Sequence, residues 1–254
     1  MTDVVSYEVV RSVAWLTINR PEARNSLNQA VREGLFDGVR TFNDDTDAKV
    51  LVLTGAGNKA FCAGGDLKEM SNNGLKVPPV DFVPQFGRNI EVQKPTMAAV
   101  NGAAFAGGFL LAQTCDLCIA SETATFAVSE VKIGRGSPWA APLSRLVPPR
   151  IAMEIVLTGT PMTARRAYEI GFVNRVVAPE DLRAAAQEFA EVIAANAPLS
   201  VSAGKRTTGL SAELPLSKAF TEAEKIWEPV YLSDDAQEGM LAFNEKRHPA
   251  WKGR

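Results

Sequence analysis

Two stretches decide the fold: VLVLTGAGNKAFCAGGDLKEM at residues 50–70 and TMAAVNGAAFAGGFLLAQTCD at residues 96–116. Each opens with a short unbroken apolar run, Val50–Thr54 and Thr96–Val100, the mark of a strand buried on both faces. Each then enters a glycine-rich loop and a helix. In an open α/β sheet the ends of such strands are where ligands sit. Glycine there lets a backbone N–H approach closely, because no Cβ stands in the way. Gly107-Gly108 also lies where a helix begins, so the helix dipole adds to its N–H groups as donors to an anion. Gly65 and Gly107 are therefore candidate ligand-binding positions; on these residues alone, glycines that merely allow tight turns fit equally well.

Two nucleotide motifs are excluded by context. Gly55-Ala56-Gly57-Asn58-Lys59-Ala60 fits G-x-G-x-x-A after a strand, yet the chain runs on through AFCAGGD without the helix that a dinucleotide fingerprint requires. A phosphate-binding P-loop needs G-K-[ST], which has no match here.

Outward from these loops the β-then-α rhythm repeats. Tyr7–Val10 and Val13–Asn19 form a hairpin around Arg11-Ser12. After the loop PEARN a helix begins, with Ser26 and Gln29 as its capping box and Val31, Leu35, Val39 and Phe42 on one face. Leu117–Ala120, Thr125–Val128 and Val173–Val177 are further strands. Ile151–Leu157 and Thr163–Ile170 are helices, the second capped by Thr163 and stopped by Gly171. Beyond Pro179 the pattern is helical, with stripes at Leu182, Ala186, Phe189, Ile193 and at Phe220, Ala223, Trp227. The expected organisation is an α/β core over 1–195 and a helical region of the same domain over 196–254. Lys76–Pro84 is the one stretch with the look of a mobile loop.

The 254 residues carry a formal charge of −2 and are 46% hydrophobic and 22% charged, the composition of an ordinary soluble protein. Nothing predicts affinity for nucleic acid, and no segment approaches the apolar length of a membrane span. Three cysteines and no leader sequence point to a reducing cytoplasm. Cys115 and Cys118 lack the second ligand pair of a structural zinc site, so Cys62, Cys115 and Cys118 are read as buried thiols and no metal is expected. The single histidine, His248, is read as an exposed tail residue, which leaves a Ser/Cys–His mechanism little support.

AFCAGGDLKEM, KPTMAAVNGAAFAGGFLLAQTCD, ATFAVSEVKIG and LTGTPMTARRAYEIGFVNRVV, with RPEARNSLN before them and DAQEGMLAFNEKRHPAWKG after, resemble the crotonase superfamily of enoyl-CoA hydratases and isomerases. The resemblance covers nearly the whole chain in the family's order. It implies a crotonase-like (ClpP/crotonase) fold, with repeated ββα units in a spiral core and a C-terminal helical trimerisation region. It further implies an acyl-CoA substrate, no separate cofactor, and a homotrimer or dimer of trimers. The thioester oxygen would rest between the N–H groups of Gly65 and Gly107, donors preorganised for the charge of an enolate. Coenzyme A would lie against Ala23, Arg24, Ser26, Leu27, Ala63, Asp66 and Leu67. Arg24, Lys246 and Arg247 are candidates for its phosphates, and Asp66 also caps the helix that follows.

One departure bears on the reaction. Hydratases of the family hold their water between two glutamates; Glu130 matches the second, but Leu110 stands where the first belongs. Leucine neither holds water nor moves a proton. A single carboxylate can still carry a proton between the α- and γ-carbons of an unsaturated acyl chain. The resemblance thus favours 3-enoyl to 2-enoyl isomerisation by Glu130, its pKa raised by apolar neighbours such as Leu110 and Trp139. Hydration or another lyase reaction is the alternative, and a homologue that binds acyl-CoA without turnover is a third. The loop GRGSPWAAPLSRL also departs from the family's glycine-rich form. Trp139 is assigned to the acyl pocket, as packing more than recognition, and Arg135 is read as a solvated charge rather than a substrate contact.

Overall fold

The computed structural model describes residues 4–254. Two sheets and ten α-helices follow one another in chain order. The strands are β1 (Val5–Val10), β2 (Val13–Ile18), β3 (Val50–Gly55), β4 (Ala60–Cys62), β5 (Thr96–Val100), β6 (Ala103–Phe105), β7 (Leu117–Ser121), β8 (Thr125–Ala127), β9 (Met162–Thr163) and β10 (Arg175–Val177). The helices are α1 (Gln29–Asp44), α2 (Leu67–Asn72), α3 (Gly107–Thr114), α4 (Leu143–Leu146), α5 (Pro149–Thr158), α6 (Ala164–Glu169), α7 (Leu182–Ala194), α8 (Pro198–Thr208), α9 (Leu216–Tyr231) and α10 (Asp234–Glu245).

The larger sheet has the order β1-β2-β3-β5-β7-β10 and the smaller β4-β6-β8-β9. Three successive units each give one strand to each sheet: β3 and β4, β5 and β6, β7 and β8. The chain thus climbs as a spiral of ββα turns, the architecture of the crotonase fold. The corner between paired strands is tight. A Cβ on Gly102, between β5 and β6, would stand 2.6 Å from the Lys59 carbonyl carbon and 2.7 Å from the Ala60 nitrogen, so only glycine fits where the turns stack.

The hairpin forms as the sequence predicts, with Arg11 and Ser12 both at positive φ (50° and 65°), the geometry of a two-residue primed turn. The central strands β2, β3, β5 and β7 of the larger sheet are buried on both faces, which explains their unbroken apolar runs. Leu16, Leu51, Leu53, Ala98 and Val100 face α1 and the interior. Trp15, Val50, Val52, Met97 and Ile119 face α7 through Leu182, Ala186 and Ala190. The Trp15 indole N–H donates to the buried Gln187 side chain at 2.7 Å. Among the described residues no helix is long and apolar enough to cross a membrane.

One capping assignment is corrected. Asn28, not Ser26, caps α1: its side chain accepts from the Val31 N–H at 3.0 Å. Ser26 instead takes a hydrogen bond from Arg20 at 2.9 Å, since the turn through residues 20–26 closes on itself. The caps at Thr163 and Asp66 form as predicted, whereas the short strands β4, β6 and β9 go beyond the sequence expectation.

Candidate active site

The candidate site is a cavity of about 470 Å³ where the loop after β4, the start of α3 and the 3-10 turn after β8 converge. The first loop is held by Leu27, whose N–H donates to Gly64 and whose carbonyl accepts from Asp66. That bridge, Leu27 against Gly65, leaves the Gly65 N–H without a strand partner. Gly107 is the first residue of α3, and a first helical N–H has no acceptor within its own helix. Gly64 lies between the two, at φ +98°; a Cβ there would stand 2.8 Å from that of Ala106 and 3.4 Å from the Gly107 nitrogen. The two loops therefore touch, and both unpaired donors line the same cavity.

The start of α3 is pinned from below and strained. A Cβ on Gly108 would meet the Cys62 carbonyl oxygen at 2.0 Å, so β4 and α3 pack backbone to backbone. Ala106, the residue before α3, has φ 51° and ψ −116°, rare for an L-residue. Such strain, worth about 1–3 kcal/mol, concentrates at ligand-binding turns. Its N–H is fixed by Ala127 of β8 at 2.9 Å. Beneath, Phe109 stacks on Phe172 at 4.7 Å and meets Phe126 and Trp139.

Glu130 sits in the 3-10 turn Ser129–Ile133 and is 9% exposed. Its Oε1 accepts from the Trp139 indole N–H at 3.2 Å, and its Oε2 is buried without a partner. Burial lifts its pKa above the usual carboxylate range, against smaller lowering effects from its own backbone N–H and from Trp139. This corrects the role expected of Trp139: its ring adds to the burial, but its N–H favours the charged carboxylate. Leu110 is buried in the same wall, and among the described residues Glu130 is the cavity's only carboxylate.

Of the sequence-predicted residues, Leu27, Gly65, Leu67, Gly107, Leu110, Glu130 and Trp139 line this cavity together. Ala23, Arg24, Ser26, Ala63 and Asp66 do not; they form the adjoining loop pair, joined by Ala63 N–H donating to the Arg24 carbonyl at 3.1 Å. Arg24 is exposed. Asp66 is engaged by Arg20 at 2.7 Å and by the Glu69 N–H, the Arg20 bond chiefly holding its carboxyl below the usual range. Arg247 is bound by Glu238 and Glu245, far along the chain from this wall.

Arg135 corrects the sequence reading. It is half-buried in the cavity wall, its Nη1 donates to the Leu75 carbonyl at 3.0 Å, and its Nη2 is buried without an acceptor. Sequence reasoning also missed Phe82 and Val83, which line the cavity. Their signal was the long irregular segment around Lys76–Pro84, since structureless loops of this length usually serve a site.

The thiols lie outside the cavity. Cys62 and Cys118 are pushed up to about 12 by burial, and Cys115 is raised by the same cause. No cluster of three or more His, Cys, Asp or Glu side chains among the described residues is arranged to hold a metal ion. Two larger clefts exist, one of about 690 Å³ near Lys94 and Trp251 and one of about 870 Å³ beside α8 and α9. Neither brings unpaired backbone donors to a buried carboxylate.

A family model described as enoyl-CoA hydratase/isomerase matches residues 8–254. An (E)-benzylidenesuccinyl-CoA hydratase of Thauera aromatica is 38% identical over 98% of this chain and 99% of its own. A carnitinyl-CoA dehydratase of Salmonella typhi is 37% identical over 94% of each. Among solved structures, a probable enoyl-CoA hydratase/isomerase from Mycobacterium abscessus and the enoyl-CoA hydratase EchA1 from Mycobacterium marinum both superpose with a TM-score of 0.89. Their identities are 40% and 37%, over the full length of each chain.

Proposed function

The chain belongs to the enoyl-CoA hydratase/isomerase family, and on that premise we propose that it moves a proton on an enolate of an acyl-CoA with Glu130 as the one acid/base, its best reaction being 3-enoyl to 2-enoyl isomerisation. The observation that carries this reading is the lone carboxylate: Glu130 shares the cavity with Leu110 and with no second acid.

The thioester oxygen accepts from the Gly65 and Gly107 N–H groups. Glu130 takes a proton from the α-carbon, and the electron pair passes into a dienolate whose charge the two N–H groups hold. Such a preorganised donor is typically worth about 10²–10³ in rate. Glu130 then returns the proton at the γ-carbon, so the double bond moves into conjugation and no atom is gained or lost. A raised pKa suits both halves, because the same group must accept and give up the proton near neutral pH. Leu27, Gly65 and Leu67 border the thioester and pantetheine end, with Arg24 at the rim for a phosphate.

The names of the hydratase and dehydratase relatives favour a second reading, in which Glu130 alone serves addition or elimination of water across the α,β-bond. Incubation with 2-enoyl- and 3-enoyl-CoA in heavy water separates the two. A shifted double bond is the outcome expected, with deuterium at the γ-carbon to the extent that the Glu130 proton exchanges with solvent between the two steps; hydrated product without a shifted bond replaces it by the second reading. Exchange that persists in Glu130→Gln removes Glu130 from the proposal altogether.

The subunit arrangement is part of the same proposal. Phe220, Tyr231, Leu232, Met240 and Phe243 of α9 and α10 and the turn between them are largely exposed. A homotrimer or dimer of trimers buries them, with the helical region beginning at 196 as the assembling part. Sedimentation equilibrium is expected to give a multiple of three, and a monomer at micromolar concentration rejects it.

A further inference from the structure

Resting on that enolate site, we propose that Arg135 makes this enzyme selective for acyl groups that carry a second carboxylate, remote from the thioester, which pairs with the Arg135 guanidinium. Three observations lead there. The first is the unmade bond: Arg135 lines the cavity and spends one guanidinium nitrogen on the Leu75 carbonyl, while Nη2 is buried with no acceptor and meets a ligand only when the guanidinium turns toward the cavity. Buried charged donors are rarely left unpaired, and one that is calls for a missing partner.

The second is that the cavity's own acid is not that partner. Glu130 takes a hydrogen bond from Trp139 and keeps its other oxygen bare, and it forms no ion pair with Arg135. The two are joined only through backbone, the Arg135 N–H donating to the Glu130 carbonyl at 3.0 Å across one tight turn. Cation and proton carrier thus stand at fixed spacing in one wall, each with a free valence. The complementary ligand has an acidic C–H near Glu130 and an anion further along its chain.

The third is the charge balance of the lining. Lys76, Arg88 and Arg135 are its cations, and the buried Glu130 is its single acid. Arg88 is exposed and bound to Gln85 at 2.7 Å, and Lys76 is exposed, so both are screened by water. Arg135 alone is withdrawn enough to be selective rather than merely attractive. Its planar fork also matches a carboxylate bidentately.

The test uses saturated thioesters, which bind without any double-bond chemistry. Calorimetry compares the CoA monothioester of a short saturated dicarboxylic acid with its methyl ester. Wild type is expected to bind the acid about 30-fold or more tighter, Arg135→Gln to bring the ratio within about 3-fold, and Arg135→Lys to restore part of it. A merely structural Arg135 weakens both ligands together and leaves the ratio standing, which overturns the proposal. A wild-type ratio near one, or a ratio lost in Lys76→Gln or Arg88→Gln rather than in Arg135→Gln, overturns it as well. Failure of isomerisation with the ratio intact touches only the reaction assigned above.

Discussion

The two sheets differ in what they are made of and in what they carry. The larger is built from strands of five and six residues, with the three-residue β10 at one edge. Its apolar side chains fill both faces between α1 and α7. The smaller has strands of two or three residues rich in alanine and glycine neighbours, and its turns meet backbone to backbone. The two unpaired donors and the carboxylate of the candidate site hang from the smaller one: the Gly65 loop from β4, Gly107 from β6, Glu130 from β8. The larger sheet supplies the packing and the smaller supplies position. Small residues make that possible, because unpaired N–H groups from two loops reach one atom only if no side chains separate the loops.

If this division holds, substitutions on the smaller sheet strike turnover and those on the larger strike stability. The largest effect is expected from Glu130→Gln, with α-proton exchange falling by about 10²–10⁴, read by mass in heavy water. The same variant should be more heat-stable than wild type at neutral pH. Burial raises the Glu130 pKa in the fold, so its ionisation opposes folding: the cost is absent where the carboxyl is protonated in both states and complete above the raised pKa. The gain in Tm of the glutamine variant therefore vanishes in acid, whereas the wild-type rate rises with pH through that same value. A Tm difference between the two proteins that does not change with pH removes the raised carboxyl from the account.

Gly108→Ala comes next. Its methyl meets the Cys62 carbonyl at 2.0 Å and neither backbone can give way. A loss of about 3 kcal/mol in urea unfolding is expected, with turnover falling further than the folded fraction does. On the larger sheet, Trp15→Phe leaves the Gln187 oxygen without its 2.7 Å donor and should cost about 2 kcal/mol with kcat/KM unchanged. Asn28→Ala removes the α1 cap for about 1 kcal/mol, again without a kinetic effect. A kinetic defect in either of these last two breaks the division of labour.

The same contrast explains what was legible in the sequence. The runs at Val50–Thr54 and Thr96–Val100 announce themselves because a strand buried on both faces must be apolar throughout. Ala60–Cys62 and Ala103–Phe105 have no period to detect, and what makes them strands is the neighbouring turn of the spiral. Gly65, Gly107 and Glu130 are legible through family resemblance, and the structure brings them to one cavity. Arg135 was misread because its burial depends on a carbonyl at Leu75, 60 residues away. Ser26 does not cap because the Gln29 N–H it would take goes to Glu69, 40 residues on, at 2.8 Å, and the helix starts only after Asn28.

The fate of the three cysteines has a chemical consequence for an enzyme of CoA thioesters. Such an enzyme works among free coenzyme thiol and its mixed disulfides, which exchange with any protein thiolate they can reach. At pH 7 a thiol held at about 12, as Cys62 and Cys118 are, is ionised in about one molecule in 10⁵. Both also lie beneath the surface, Cys62 under the helix that begins at Gly107. Cys115 is only half-buried, but burial raises its thiol as well, so each of the three is a poor partner for exchange with a thiol carrier.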